Sequence, residues 1–382
     1  MELGGLWGGQ GANRGRAVVK VQHTSEVDAL REAIASLFPG GRLVECELLG
    51  SDAGAEVGRK QIGYGKPLKI GVEAKDGTHR TLVFRTASSN EFGHDRRADR
   101  AGELLLAFDT FNTVPDHVRA LDVGAITPTG LRSFREAGEP YLITTFAEGR
   151  LYADDLRRVA REGVAMERDL ERCHALARWL AELHRQRLSD AVAWRRAVRD
   201  LIGHGEGIFG IVDAYPPDVP GAPPERLERI ERECLAWRWR LRQRGERLRR
   251  THGDFHPFNI VFSEGTRFTL LDASRGGKGD PADDVTALSA NYVFFALQAP
   301  RAWERGFGPM WRRFWDAYLA DSGDREVLDT AAPFLAWRAL VLACPRFYPD
   351  LQAGARGALL DLAERALGAP TFDPGIAEAL FP

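Results

Sequence analysis

Residues Arg249–Phe262 read RRTHGDFHPFNIVF, and from Asp272 the chain continues DASRGGKGDPADDV. His252, Asp254, Asn259, Asp272, Asp280 and Asp284 all fall within this window. Asp254 and Asn259 flank a segment that contains Pro257 and runs into the apolar stretch NIVF. A loop of that kind can aim both side chains into one space. A turn at Ser263–Thr266 and the run RFTLLDA then complete a short hairpin, which returns Asp272 beside the same loop. One carboxylate and one amide oxygen are hard ligands, suited to a Mg²⁺ whose remaining positions are water and phosphate. Asn259 and Asp272 are the candidate pair, leaving Asp254 to orient and deprotonate an attacking hydroxyl. The chemistry is that of phosphoryl transfer.

The order H-G-D-x-x-x-x-N, a short hairpin, then D followed by G-D-P-x-x-D resembles the aminoglycoside phosphotransferase and choline kinase family, relatives of the protein kinases. HGDFHPFN and LDASRGGKGDPADDV follow that pattern nearly throughout. The resemblance implies an α+β, protein-kinase-like two-lobe fold, with a small β-rich N-lobe and a larger, mainly α-helical C-lobe. It implies Asp254 as catalytic base, Asn259 and Asp272 as metal ligands, and supporting hydrogen-bond roles for His252, Asp280 and Asp284. It further implies ATP, with GTP as the alternative, together with Mg²⁺, and a small-molecule hydroxyl as acceptor. Aminoglycosides, amino-alcohols and sugars all remain open as acceptors. Relatives commonly carry an aromatic residue and an acid after the metal-binding Asp, whereas this chain has Ala273 and Ser274. That departure, with Arg85 below, motivates the rival reading of a nucleotide-binding protein without turnover.

The elements that must position these residues are readable by period. Residues 1–41 form an extension, Gly-rich to residue 17, then a helix over HTSEVDALREAIASL, capped by Thr24 or Ser25 and stopped by Pro39-Gly40-Gly41. Residues 42–147 alternate as about five strands with one inserted helix, the Asp-Gly of AKDGTH marking a hairpin. RLVECELLG, LKIGVEA, TLVFRTA, RALDVGAI and PYLITTF are the strands. Residues 148–382 are mostly helical, with long amphipathic stretches from Ala165 and Pro223 and three more towards the C-terminus. A cleft between two such lobes is a usual ligand site.

In the β-rich part, Arg85 in TLVFRTA stands where protein kinases carry a Lys, and its fork can grip phosphate oxygens. Glu103 is its candidate partner, with Glu91 as second choice. The strand ending at Phe146 would offer backbone groups to the base. A phosphate-covering glycine turn belongs somewhere between residues 50 and 66, where Gly63 and Gly65 give only G-x-G. No G-x-x-x-x-G-K-[ST] occurs, which argues against a P-loop enzyme.

Composition removes other classes. A net charge of −2 over 382 residues gives no whole-molecule field selective for nucleic acid or anionic membrane. The Arg-rich stretch Trp237–Arg250 reads as a helix with arginine stems over apolar surface, balanced by acids at Glu225, Glu228, Glu231 and Glu233. The stripe Trp311, Phe314, Trp315, Tyr318 reads as core, or otherwise as a wall of the acceptor pocket, and His184 as a packed helix-end histidine. Cys46, Cys173, Cys234 and Cys344 are scattered and read as buried free thiols of a reducing compartment. The start lacks an export signal and the apolar runs are too short to span a bilayer. The expectation is a cytoplasmic monomer or homodimer with no nucleic-acid or membrane partner.

Overall fold

The structure is a computed structural model that describes residues 25–48, 67–127, 130–135, 142–273 and 275–381. The Gly-rich start, Thr24, the glycine turn expected between 50 and 66, Pro140, Tyr141 and Ser274 lie outside the described residues. The chain divides into two compact units, Met1–Ile143 and Thr144–Pro382.

In the first unit α1 (Ser25–Leu37) is followed by β1 (Arg42–Leu48), β2 (Leu68–Glu73) and β3 (His79–Phe84), which form one antiparallel sheet in that order. The β2–β3 turn follows from its residues. Gly77 takes φ +82°, a left-handed value that costs glycine little, while Asp76 Oδ1 accepts from the Thr78 amide at 3.0 Å. One face of this sheet buries Ile70 and Val72 against Leu30 and Ile34 of α1. Next come α2 (Arg97–Phe111) and the hairpin β4 (Gly124–Thr127) with β5 (Gly130–Ser133). The strand expected over PYLITTF is corrected: residues 142–148 join no ladder, and Leu142, Ile143 and Phe146 are exposed. Its apolar run matched a strand, but a strand also needs a partner edge, and among the described residues β5 takes the pairing with β4.

The second unit opens with β6 (Arg150–Leu151), then α3 (Tyr152–Glu162), α4 (Glu167–His184), α5 (Ala191–Gly203), α6 (Ile208–Asp213) and α7 (Pro224–Leu241). After β7 (Arg249–Arg250) come β8 (Ile260–Phe262), β9 (Phe268–Leu270) and β10 (Lys278–Gly279). Helices α8 (Pro281–Gln298), α9 (Gly308–Ser322), α10 (Val327–Ala343) and α11 (Ala353–Gly368) close the fold. β8 pairs with β9 in register Ile260↔Leu270 and with β6 on its other side, while β7 pairs with β10.

Helix α8 is apolar nearly all round and, Asp283 apart, buried from Pro281 to Ala296, the mark of a central helix. It packs against α3, α4, α9, α10 and α11. Its start is well specified: Asp280 caps it by accepting from the Ala282 amide at 3.0 Å, and Pro281 fills the first helical position. Trp311, Phe314, Trp315 and Tyr318 of α9 are buried in this core, so the stripe is core rather than a pocket wall. Trp237 is buried too, with its Nε1 donating to the Leu367 carbonyl at 3.0 Å, whereas Trp239 is exposed between Arg238 and Arg242. All four cysteines are free, but Cys46 is only partly buried, because it sits on an edge strand of a thin sheet. Among the described residues no helix is long and apolar enough to cross a membrane.

Gly149, just before β6, holds φ +142°, and a Cβ there would press into the Phe262 carbonyl of β8. Gly149→Ala therefore strains both the backbone and the β6–β8 pairing. Chemical denaturation should show it destabilised by about 1–3 kcal/mol, a size usual for residues forced into sparse backbone regions.

Candidate active site

The segment His252–Asn259 lies between β7 and β8 and has few backbone partners of its own, so its shape comes from α8. Asp284, fully buried in the first turn of that helix, accepts from the His252 amide at 2.7 Å and the Gly253 amide at 2.8 Å. Gly253 holds φ +89°, which lets two successive amides point at one carboxylate. The same carboxylate takes His184 Nε2 at 3.2 Å, and the Tyr318 hydroxyl stands 2.9 Å from His184 Nδ1. A carboxylate only accepts, so Nε2 carries the proton and Nδ1 accepts from Tyr318. Burial would raise the pKa of Asp284. The hydrogen bonds from His184 and the two amides outweigh it and hold the carboxyl below its ordinary value.

His252 turns inward as well. Its Nδ1 accepts from the Asp254 amide at 3.2 Å and its ring meets Phe255 edge-on. Phe255 stacks on Trp179 of α4 at 5.5 Å, so the loop is anchored by apolar contact and by hydrogen bonds together. Asp280 is not part of this cluster. It faces Arg247, which is 1% exposed, at 2.9 Å and 3.1 Å, and also accepts from Thr330 at 3.1 Å. Asp324 takes the remaining arm of Arg247 at 2.6 Å.

Asp254 is the focus. Its Oδ2 accepts from Asn259 Nδ2 at 3.1 Å and lies 3.2 Å from His256 Nε2. The Phe258 amide donates to His256 Nδ1, which places the imidazole proton on Nε2, facing Asp254. Oδ1 accepts from Arg338 Nη1 of α10 at 2.9 Å, and Arg275 Nη2 stands at 3.8 Å, beyond hydrogen-bond reach. Oδ2 thus holds two donors and Oδ1 one, so the open lone pair of the carboxylate is on Oδ1. Burial raises the pKa of Asp254, but the His256 hydrogen bond and the charges of Arg338 and Arg275 outweigh it. The carboxyl is held well below the usual carboxylate range.

Asn259 also donates from Nδ2 to the Asp254 carbonyl at 3.0 Å, which leaves its amide oxygen as the donor a metal could use. The Asn259 carbonyl accepts from the Leu271 amide at 2.8 Å, so Asp272 emerges one residue beyond a direct link to Asn259. Asp272 is exposed and holds φ +46°, a region that Asp tolerates better than most side chains. Among the described residues no three His, Cys, Asp or Glu side chains cluster as a metal cage. An amide oxygen and a carboxylate still suit a Mg²⁺ that keeps several waters and bridges substrate phosphates.

The other candidates lie in or near the first unit. Arg85 directly follows Phe84, the last residue of β3, and is exposed. Glu103, on α2, has its carboxylate 3.0 Å from His94 Nε2. Phe146 is 88% exposed. Sequence reasoning missed His256, Arg275, Asp283 and Arg338 around Asp254. His256 lies within the quoted motif, but Arg338 is 84 residues away with no local signal.

The depressed pKa of Asp284 fixes the sign of one pH effect. Its contribution to stability is fully present above its unfolded value, about 4, and is lost as pH falls through the folded value. Asp284→Asn should be less stable than the natural chain near pH 7, with the gap closing in acid. Urea titrations from pH 7 to about pH 3 check this. A gap that stays constant with pH would exclude an ionised Asp284.

A family model for the phosphotransferase enzyme (APH) family matches residues 72–334. No curated protein sequence matches the chain. Among solved structures, a glucosamine kinase in complex with glucosamine, ADP and inorganic phosphate is 22% identical with a TM-score of 0.39, over 56% of this chain and 58% of that one. Another crystal form of glucosamine kinase is 18% identical with a TM-score of 0.39, over 86% of this chain and 92% of that one. An amicoumacin kinase in complex with AMP-PNP, Ca²⁺ and Ami is 13% identical with a TM-score of 0.36, over 94% and 96%. In two of the glucosamine kinase structures the match spans only 58% of their own length. The family match is of another order, since it covers well over half of this chain and contains both the HGDFHPFN loop and the start of α8. The chain therefore belongs to the phosphotransferase enzyme family, whose fold is protein-kinase-like.

Proposed function

We propose that this chain is a small-molecule kinase that moves the γ-phosphoryl group of ATP onto an alcohol hydroxyl, with Mg²⁺ as the metal. The observation that carries the reading is the state of Asp254. Its carboxylate is oriented by three neighbours, has one lone pair open on Oδ1, and sits beside Asn259, whose backbone carbonyl in turn accepts from the amide of Leu271, the residue before Asp272. An acceptor hydroxyl hydrogen-bonded to Oδ1 would have its own oxygen lone pair directed at an incoming phosphorus. The bond from γ-phosphorus to the bridging oxygen breaks, the acceptor oxygen bonds to phosphorus, and ADP leaves with the bridging oxygen. The hydroxyl proton passes along its hydrogen bond towards Asp254 late in the reaction. A carboxylate held so far below its usual pKa is a weak base, so Asp254 acts mainly by orientation.

Asn259 and Asp272 are the residues that would hold Mg²⁺, which when bound supplies charge neutralisation at the phosphate oxygens. Arg85 is proposed to take phosphate oxygens with its planar fork, and the backbone at Phe146 to meet the base. The metal and nucleotide assignments belong to this proposal, as does the alcohol class of the acceptor.

The test is ADP release from Mg-ATP with and without pooled alcohols, beside Asp254→Asn and Asp272→Asn. The natural chain should show acceptor-stimulated release, and each variant should lose roughly 10²–10⁴-fold while remaining folded. Mg-ATP binding with no stimulation by any alcohol would favour a nucleotide-binding protein without turnover.

A further inference from the structure

Helix α7 is buried on one side only. Leu227, Ile230, Cys234, Trp237 and Leu241 join the core of the second unit. The opposite side, at the same helical spacing, carries Glu228, Arg232, Leu235, Trp239 and Arg242, all exposed. Leu235 is 42% exposed and Trp239 55%, two large side chains left in water. The guanidinium carbons of Arg238 and Arg242 each lie 5.2 Å from the centre of the Trp239 ring, within cation–π reach. Among the described residues neither arginine has a carboxylate within ion-pair distance.

Charge along this stripe is ordered. Its N-terminal half is acidic: partial burial, with the charges of Asp213 and Glu228, pushes the Glu231 carboxyl above its ordinary value. Its C-terminal half, with Arg238 and Arg242, is basic. The helix dipole favours that order of charge, but it does not account for a Leu and a Trp exposed along the same face. A polyanion laid along the stripe, whether nucleic acid or anionic lipid, would meet arginines at one end and acids at the other. What fits is a helix with the reverse order of charge and an apolar centre. Helix α7 of a second copy, lying antiparallel, is such a helix. With Leu235 at the two-fold axis, Glu228 of each copy faces Arg242 of the other, because the two positions are equidistant from Leu235 along the chain. Arg232 and Arg238 face one another in this register. Each is already engaged, Arg232 by Glu228 of its own helix at 2.6 Å and Arg238 by the Trp239 ring. A net charge of −2 puts little repulsion between whole copies.

We infer that α7 is a self-association surface, on which two copies of this chain pair antiparallel as a two-fold dimer through Leu235 and Trp239. Glu228 and Arg242 select the register. The apolar pair holds the contact, since exposed ion pairs add little by themselves. A contact of one helix face lies at the small end of specific interfaces, so association should have a roughly micromolar Kd. The inference is independent of the kinase reading.

The experiment is sedimentation equilibrium of the full chain across the micromolar range. The natural chain should pass from monomer to dimer, and Trp239→Ala should raise Kd at least about tenfold. Glu228→Arg and Arg242→Glu each set like charges across the axis, so each should weaken the dimer about tenfold. Combining the two restores opposite charges, and the double variant should return to within about threefold of the natural Kd. A merely destabilising effect of either change would not be rescued in this way. The substituted positions are exposed, so all variants should keep the natural circular dichroism spectrum. A chain that stays monomeric overturns the inference, as does a dimer indifferent to Trp239→Ala or a folded double variant that does not recover. A monomer that instead sediments with phosphatidylserine vesicles, and loses this in Trp239→Ala, overturns it in favour of a lipid surface.

Discussion

One buried carboxylate sets the geometry of the whole site. Asp284 lies in the first turn of the central helix, where the helix dipole favours negative charge, and it is fully removed from water. An ionised carboxylate in that position is tolerable only if donors surround it. The His252 and Gly253 amides and His184 are those donors. The demand runs both ways: the helix needs the loop's amides, and the loop, having little regular structure, needs a fixed point. His184 extends the same network to α4 and, through Tyr318, to α9. Three helices therefore converge on the two residues that precede Asp254.

From that fixed point the second layer follows. Asp254 is held by side chains from the loop itself and by Arg338 from α10, so its carboxylate arrives oriented before any ligand binds. The same contacts that orient it lower its pKa, and these two effects pull in opposite directions for catalysis. A strongly ionised carboxylate is well placed to accept a hydrogen bond and poorly placed to keep a proton. Phosphoryl transfer through a loose transition state asks for positioning and charge neutralisation more than for basicity, so the compromise suits that chemistry.

How far the sequence alone reached depended on how local each feature is. The loop and the β8–β9 hairpin were legible because their signals lie within a few residues: Pro257 and the turn at Ser263–Thr266. The Asp-Gly turn between β2 and β3 was legible for the same reason. PYLITTF misled because an apolar run records side-chain character and not whether a partner edge exists. His184 was read as a packed histidine; it is buried, and in addition it donates to Asp284, a role no periodicity encodes. Arg338 looks like an ordinary member of an apolar helix, and only the fold across 84 residues turns it onto Asp254. Side-chain contacts of that range have no signature in one sequence.

The most direct test of this account is amide hydrogen exchange at His252 and Gly253. If Asp284 pins the loop, both amides should exchange slowly in the natural chain, at rates set by large-scale opening rather than by loop fluctuation. In Asp284→Asn their protection should fall while that of the α8 core is retained. Fast exchange at both amides in the natural chain would contradict the claim that this carboxylate holds the catalytic loop.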